Sequence, residues 1–511
     1  PRGICGYAWA DIMVQDAGLF RDTFTSNVEH EINDNLTFYS RASFVRNESV
    51  GRYAPPAASY PGILPSDPAN PYDVPVTGYW RWTEIGNRGM HFVDQSSDWV
   101  GEIRWEPTDN VEVTASHQVN KFYGTDIGRY YLDYAGLASN LYYETPFGST
   151  DGLYALSATT VVEYDNHYEK TDIIAQVSDL FELPAGSAAL VVGYEGFDNI
   201  YSAQYDKHSE GGYVGGSAGN SGAGTRSVDS YFGEILIPIA TGLELNAAVR
   251  SDDYDDVGSN DSFKVGVLWE GDKGTSIKAN AGTGFRAPTM DTLYGVTTFS
   301  ANTATDYLAC ANAGVSQSEC ASKQVSTLIT SNPNLGAETS ESTVFSVSQD
   351  MGELTPALDG VSLRFDWYNI TMEDLISSVS TQDVLYSDFT NGNLLTNNYE
   401  YYASGGLKGD GSAAGAPVGT GTSSACPAGA AYYKRMGVSP ALYTIRSCAN
   451  GRIDYVGASY ANQGDYEVEG YDIFVDYTVE VGGGDLDVTL EYSHVTDYGG
   501  APFIGSSAHQ N

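Results

Sequence analysis

The connections between predicted β-strands alternate between short and long, and this pattern constrains the fold more than any other feature. Period-two hydrophobicity gives about fourteen strand candidates. They fall near residues 19–31, 35–46, 97–106, 109–121, 171–182, 187–200, 227–238, 242–251, 261–270, 274–285, 341–351, 360–370, 464–479 and 485–495. The long connections between them are 47–96, 122–170, 201–226, 286–340 and 371–463. A transmembrane β-barrel has short turns on one side and long loops on the other, so the alternation predicts such a barrel.

Apolar and charged side chains alternate within these segments. One face of 361–370 is apolar, while Arg364 and Asp366 occupy the other face. The same pattern recurs in 243–250, 263–270, 277–285 and 471–477. A soluble β-protein with one solvated face gives the same alternation. Charges of both signs at strand centres favour a wide barrel, whose water-filled interior hydrates or pairs them.

The composition excludes two classes of protein. No stretch approaches about 18 consecutive apolar residues, so the sequence predicts no transmembrane helix. Lys and Arg total 25 against 66 Asp and Glu, which gives a formal net charge of −41. We expect no nucleic-acid binding, because phosphate neutralisation needs clustered Lys and Arg. The charge fits solubility in a salty medium, or a surface that collects cations with Ca²⁺ bridging loop carboxylates.

Four of the five cysteines form two pairs within loop-like sequence: Cys310 with Cys320, and Cys426 with Cys448. Neither spacing is that of a zinc site, and no histidine lies nearby to complete one. We therefore expect two disulfides that staple loops, which implies an oxidising compartment. Cys5 is left over, and a partner upstream of this chain would explain it.

Several segments occur in an order that resembles the barrel of TonB-dependent outer-membrane receptors. In the middle of the chain they read AGTGFRAPTMDTLYG at Ala281–Gly295, SNPNLGAETSEST at Ser331–Thr343 and LRFDWYNITMEDLI at Leu363–Ile376. Towards the two ends they read CGYAWADI at Cys5–Ile12, EINDNLTFYSRASFVRNESVGRYAP at Glu31–Pro55 and NQGDYEVEGYDIFVDYTV at Asn462–Val479. Their shared order and spacing carry the resemblance, since each motif alone could occur by chance.

The resemblance implies an all-β fold, a transmembrane antiparallel β-barrel of the 22-strand receptor type in the bacterial outer membrane. About fourteen strands are represented, and no plug domain or TonB-contacting box is recognisable. We therefore expect 1–511 to be a partial barrel domain, because an open sheet would expose unpaired edges to lipid. The family's direction makes 274–285 run outward, which places both cysteine pairs in long extracellular loops.

The resemblance also implies active uptake of a scarce nutrient. The expected partners are the TonB complex, acting through the missing plug, together with outer-membrane lipid and a small nutrient ligand. A ferric siderophore is the most frequent cargo in the family, and glycans, cobalamin and peptides are alternatives. A passive porin-like channel or a surface adhesion barrel is the alternative from another class. We expect no enzyme activity, because the chain has no HExxH, GxSxG, P-loop or Rossmann pattern.

Aromatic residues interleaved with arginine are the first candidates for ligand contact. They occur in the first two long connections, as Trp80, Arg81 and Trp82 and as Arg129, Tyr130 and Tyr131. Such a set would suit an anionic, aromatic or sugar-like ligand. The alternative is that these side chains pack the loops against each other.

A run of aspartates is the second candidate. Asp252, Asp253, Asp255 and Asp256 surround a short acidic turn whose spacing is not that of an EF-hand loop. The run predicts either a solvated hairpin tip or a structural Ca²⁺ site in the extracellular loops. No other cofactor is expected.

Overall fold

The computed structural model describes residues 8, 12, 14, 16–66, 70–138, 156–215, 221–295, 297–392, 394–403, 416–462 and 464–500. Fourteen long strands form an antiparallel meander in which each strand pairs with the next long strand along the chain. They are β1 (Gly18–Asn33), β2 (Leu36–Arg52), β3 (Gly89–Thr108), β4 (Val111–Asp133), β5 (Ser157–Leu183), β6 (Gly186–Tyr205), β7 (Gly222–Ala240), β8 (Leu243–Tyr254), β9 (Gly258–Glu270), β10 (Thr275–Arg286), β11 (Glu338–Asp350), β12 (Val361–Glu373), β13 (Tyr466–Val481) and β14 (Gly484–Gly500). Each predicted strand position is confirmed.

The apolar faces of these strands join into one belt. Phe263 of β9 lies opposite Val249 of β8, and Phe365 of β12 lies opposite Val347 of β11 and Ile473 of β13. These side chains have no covering layer: Val249 is 64% exposed and Phe263 is 55% exposed. An uncovered apolar belt of this extent is unfavourable in water and is covered by lipid in a transmembrane barrel.

The opposite face of the sheet carries paired charges. Lys170 of β5 contacts Asp172 at 3.1 Å and Glu195 of β6 at 2.7 Å. Arg250 of β8 contacts the same Glu195 at 3.0 Å and Asp252 at 2.7 Å. The predicted pairing of strand-centre charges on one face is therefore confirmed.

The strands differ in height. A membrane-spanning strand needs about 9–11 residues. β5 has 27 residues, which corresponds to roughly 90 Å of extended chain, whereas β8 has 12. Strands β3 to β7 therefore form a high wall, and β8 to β12 form a low one. The predicted loop at 122–170 is wrong over most of its length, because β4 continues to Asp133 and β5 begins at Ser157. These extensions exceed the length that lipid covers, so lipid-imposed hydrophobic alternation does not mark them.

The two longest connections fold into a second sheet above the low wall. Its strands are Thr298–Ala304, Lys323–Thr330, Ile376–Val379, Leu395–Tyr402, Pro417–Gly421, Tyr432–Gly437, Tyr443–Ser447 and Ile453–Asn462. Lys323–Thr330 of the first connection pairs in parallel with Ile453–Asn462 of the second. We call this unit, residues 287–337 and 374–465, the loop domain. The sequence predicted long loops at 286–340 and 371–463 and did not predict the strands within them.

The helices are short and lie in connections. The longest described helix, Thr381–Thr390, belongs to the loop domain, where it covers the sheet. The others are Tyr134–Ala138, Lys207–Glu210, Met290–Tyr294, Tyr307–Asn312 and Met351–Leu354, with 3₁₀ turns at Gln317–Glu319 and Pro356–Leu358. The end of the Leu363–Ile376 segment is not helical: β12 reaches Glu373 and a new strand begins at Ile376. None of the described helices has the length and apolarity required to cross a membrane.

Three smaller strands lie in the other upper connections. Ala57–Ile63 and Val76–Arg81 form a hairpin between β2 and β3, and Val214–Gly215 pairs with the end of β4. The hairpin packs against the upper end of β4 and the residues after it. Ile63 of the hairpin shares one buried apolar cluster with Trp82, Leu132, Leu137 and Leu156. A second buried cluster fills the loop domain. The core of this protein therefore sits in its upper connections.

Short turns close the opposite end of the sheet, and two of them require glycine. Gly242 has φ 71° and Gly360 has φ 81°, a region that favours glycine. A Cβ on Gly242 would overlap the carbonyl oxygen of Glu270, and one on Gly360 would overlap that of Thr478. These glycines let a neighbouring strand end lie directly against the turn.

Replacing Gly360 with alanine tests this packing. The variant combines an unfavourable φ with a backbone collision, so we expect its free energy of unfolding to fall by about 2–4 kcal/mol. The measurement is the temperature at which the folded, fast-migrating band is lost on SDS gels. Gly482→Ala is the matched control, since Gly482 has φ 66° with nothing within 4 Å of its added Cβ. Equal losses in the two variants would contradict the collision.

Candidate functional site

A cleft of about 650 Å³ opens on the charged face of the sheet, near the upper ends of the low-wall strands. Its walls come from β5 to β10, so residues far apart in sequence meet there. It is lined by Tyr168, Phe197, Asn199, Arg226, Arg250, Asp252, Tyr254, Ser262, Gly284, Phe285, Arg286 and Ala287. The volume lies within the usual range for small-molecule sites.

Arg226 is the most enclosed cation of the cleft. Its Nε lies 2.9 and 3.1 Å from the two carboxylate oxygens of Asp256, and its Nη2 donates to the carbonyl of Pro288 at 2.9 Å. Tyr294 donates to the same Asp256 at 3.0 Å. Because Pro288 belongs to the GFRAP segment, this arginine fixes where the chain leaves β10.

Arg250 is held by two carboxylates across three strands. It contacts Asp252 and reaches over β7 to Glu195. Ser230 of β7, which is fully buried, donates to Asp252 at 2.6 Å and supports that carboxylate from below. The guanidinium is therefore fixed in place.

Arg286 connects the cleft to the loop domain. It is the arginine of the GFRAP segment, and its Nη2 lies 2.7 Å from Oε1 of Glu338, the glutamate that follows NPNLGA. Glu338 is only 1% exposed and also accepts from the backbone N–H of Ile376 at 2.6 Å. One carboxylate thus joins the start of both loop-domain connections.

Asn462, the first residue of the NQGDYEVEG segment, also contacts both loop-domain connections. Its side chain accepts from the N–H of Gly336 at 2.8 Å and donates to the carbonyls of Gly336 at 2.9 Å and Asp374 at 2.8 Å. Four of the six segments that carried the resemblance therefore meet at one place and are joined by hydrogen bonds. Their order in sequence reflects one structural junction.

Aromatic rings line the cleft in two pairs. The centroids of Tyr168 and Phe197 are 5.6 Å apart, and those of Tyr254 and Phe285 are 6.1 Å apart in a T-shaped arrangement. The guanidinium of Arg226 lies 5.4 Å from the ring centroid of Tyr254. Of the residues that line this cleft, Asp252 alone was a candidate site residue from the sequence. The alternation of polar residues on β8 was visible, but the pairing that brings six strands together was not.

The first predicted aromatic set lies elsewhere, in the hairpin between β2 and β3. Trp82 is fully buried in the apolar cluster beneath that hairpin, so it packs the loops, as the second of its two predicted roles requires. Arg81 donates to the carbonyl of Pro55 at 2.6 Å. The Trp80 side chain lies outside the described residues.

The second predicted set occupies the upper end of β4 and not a loop. Tyr131 is buried beneath Arg88, whose guanidinium lies 5.5 Å from the ring centroid. Arg129 and Tyr130 are exposed, and Tyr130 has φ 64°, a strained value for a non-glycine residue. The pairing of β4 with β5 shifts register at this point. Ligand contact by Arg129 and Tyr130 stays a prediction.

The four aspartates of the predicted acidic turn contact different partners in the structure. Asp252 and Asp256 bind Arg250 and Arg226, whereas Asp253 accepts from Ser259 at 2.6 Å and Asp255 from the N–H of Ser227 at 3.0 Å. Within the described part of the chain, no three His, Cys, Asp or Glu residues are grouped so that they could hold a metal ion. Ca²⁺ binding by these aspartates stays a prediction.

Both predicted disulfides are formed, in the loop domain. The Cα–Cα distance is 5.9 Å for Cys310–Cys320 and for Cys426–Cys448. The expectation for Cys5 falls outside the described residues.

Two buried arginines organise the interior of the loop domain. Arg446 contacts Asp306 at 2.9 Å and Asp388 at 2.8 Å, and Arg435 contacts the same Asp388 at 2.9 Å. Burial opposes the charge of Arg446, but its hydrogen bonds to Asp306 and its attraction to Asp388 outweigh that effect and raise its pKa. Asp306 belongs to the first connection and Arg446 to the second. This ion pair therefore holds the two connections together.

Replacing Arg446 with methionine tests that role. The variant leaves Asp306 buried without its cation, and removal of one partner from a buried ion pair costs about 3–5 kcal/mol. We expect limited proteolysis with proteinase K to cut the loop domain while the barrel keeps its folded gel mobility. Arg452→Met is the control, because Arg452 is exposed and forms no ion pair with the described residues. Equal cleavage of the two variants would show that the ion pair does not hold the connections together.

The sheet, its apolar belt, its charged inner face and its folded upper connections together define a transmembrane β-barrel. A family model described as TonB dependent receptor-like, beta-barrel matches residues 23–507. The chain belongs to this family of outer-membrane transport receptors. No curated protein sequence matches the chain.

The chain is similar to several solved receptor structures. The RagAB peptide importer in its closed-closed state gives a TM-score of 0.50 at 12% identity, over 96% of this chain and 48% of that one. The ferric enterobactin receptor PfeA of Pseudomonas aeruginosa gives 0.43 at 12% identity, over 95% and 61%. The siderophore receptor PirA of Acinetobacter baumannii gives 0.43 at 13% identity, over 95% and 61%. The chain spans about half the length of the RagAB chain that it matches.

Proposed function

We propose that this barrel belongs to a receptor that takes up a scarce nutrient actively across the outer membrane, with energy delivered by TonB. The observation that carries the proposal is the cleft on the inner face of a family barrel, hydrogen-bonded through Glu338 to a folded domain above it. The outer membrane holds no ion gradient of its own, so uptake against a gradient needs energy from elsewhere.

The arrangement of walls supports capture before transport. The high wall of β3 to β7 and the loop domain flank the cleft, so a ligand meets them before it reaches the inner face. A ferric siderophore remains the cargo expected from family frequency. The peptide importer and the siderophore receptors that share the fold do not decide the cargo, because their identity to this chain is 12–13%.

Dependence on TonB separates this proposal from a passive channel. We expect receptor-dependent uptake of the cargo to disappear in a strain that lacks TonB and to return on complementation. In liposomes, the full-length receptor is expected not to admit small sugars, as judged by swelling. Uptake that persists without TonB, or rapid swelling, would support a porin-like channel instead.

The orientation of the barrel has its own test. After mild reduction of intact cells, a membrane-impermeant maleimide is expected to label Cys310 and Cys320, which lie in the loop domain. A cysteine introduced as Gly483→Cys is the control, because Gly483 lies in the short turn between β13 and β14 at the opposite end. Labelling at position 483 and not at the loop domain would reverse the orientation.

A further inference from the structure

The charges of the cleft point to the class of ligand it accepts. Its three arginines, Arg226, Arg250 and Arg286, are each in an ion pair. Their partners are four carboxylates: Glu195, Asp252, Asp256 and Glu338. Among the described residues that line the cleft, no guanidinium is left unpaired, and the local balance of charge is negative.

An anionic ligand would meet this cleft at a disadvantage. It would have to displace a carboxylate that is already in contact with its arginine, and Asp252, Asp256 and Glu338 are buried on rigid strand ends or turns. Separating such a pair leaves a buried carboxylate without its partner, which is costly. The chain as a whole adds repulsion, with its formal net charge of −41.

The uncharged surfaces of the cleft favour flat, hydroxylated molecules. The ring pairs Tyr168–Phe197 and Tyr254–Phe285 offer aromatic surface with polar groups beside it. Aromatic surface packs against apolar C–H faces, and the neighbouring Asn199 and Ser262 can hydrogen-bond to hydroxyl groups. The side chain of Arg286 is 69% exposed, so its remaining N–H donors reach the cleft without adding unbalanced charge.

Asn199 supplies a further acceptor. Its Oδ1 has no hydrogen-bond partner, and its Nδ2 lies 3.6 Å from the sulfur of Met290. The oxygen is shielded from water, so a ligand reaches it when the flexible Met290 side chain moves aside. A ligand hydroxyl can donate to this oxygen, whereas a deprotonated catecholate cannot.

We propose that the cleft binds an uncharged, hydroxyl-rich ligand, a neutral oligosaccharide, and rejects anionic ferric complexes. This inference rests on the proposed uptake function, because it names the cargo class of the same cleft. It departs from the siderophore expected on family frequency.

The test uses the full-length receptor in detergent and probes that share a sugar backbone and differ in charge. Hexagalacturonate and its fully methyl-esterified form have the same sugar backbone, and a microarray of neutral hexoses and pentoses widens the range. A ferric tris-catecholate and an uncharged capped tripeptide are titrated in parallel. We expect neutral oligosaccharides to bind at least roughly tenfold more tightly than their acidic counterparts and the ferric complex.

Variants assign the binding to the cleft. Tyr168→Ala and Asn199→Leu are each expected to weaken oligosaccharide binding roughly tenfold. The double variant Glu195→Gln/Asp252→Asn leaves Arg250 unpaired and is expected to reduce the discrimination against hexagalacturonate. Arg104→Ala, near the lower end of β3 and outside the cleft lining, is the control and should leave binding unchanged. Folded gel mobility shows which variants are intact.

Three results would overturn the proposal. They are tighter binding of the ferric complex or the peptide than of any neutral sugar, no neutral sugar bound by folded receptor, or binding unchanged in both cleft variants. Uptake assays keep the two proposals apart. Cleft-dependent sugar binding with TonB-independent uptake would refute active transport alone, whereas TonB-dependent uptake of a ferric complex would refute the cargo class alone.

Discussion

The fold depends on one constraint, which is that backbone N–H and C=O groups cannot be left unpaired in lipid. The meander from β1 to β14 meets it by pairing each long strand with the next, with an unbroken register across most pairs. Once the strands are paired, period-two alternation decides which side chains face lipid and which face the interior. One face turns Phe263 and its neighbours to lipid, and the other turns Lys170, Glu195 and Arg250 to the interior.

The charged face is therefore available for ligand chemistry without cost to the sheet. In a soluble β-protein such residues would point to bulk water, whereas here they form ion pairs between neighbouring strands on one face of the sheet. Pairing across strands fixes the arginines as hydrogen-bond donors and cancels their charge. On the proposed assignment, this cleft would select by shape and hydrogen bonding more than by electrostatic attraction.

Sequence was sufficient where one face of a strand meets lipid. The segments 243–250 and 361–370 alternate because lipid demands it, so their strands and faces were predictable. The upper parts of β4 and β5 rise beyond the length that lipid covers and lose that signal. Local pattern also missed the loop domain, because its sheet joins residues about 130 positions apart, such as Asn332 and Tyr460. The disulfides were predictable because each closes a short interval of sequence.

The cleft was the least predictable part, since it forms where six strands converge. Asp252 was visible as one aspartate in an acidic run, yet its role comes from Arg250 and from Ser230 on a neighbouring strand. Trp82 shows the converse. Its sequence neighbours Trp80 and Arg81 resemble a binding motif, but the Trp82 side chain is buried in the apolar cluster beneath the hairpin. The aromatic pairs at Tyr168 and Tyr254 had no motif to mark them.

The parallel pairing of Lys323–Thr330 with Ile453–Asn462 has a consequence for the order of assembly. The two strands are far apart in the chain, with β11 and β12 between them. The ion pair of Asp306 with Arg446 likewise joins residues 140 positions apart. Contacts between residues so far apart in sequence form slowly, because closing a long loop costs conformational entropy before the contact stabilises it. The loop domain therefore matures after the strands beneath it, and a misregistered barrel would leave its halves apart and open to proteases.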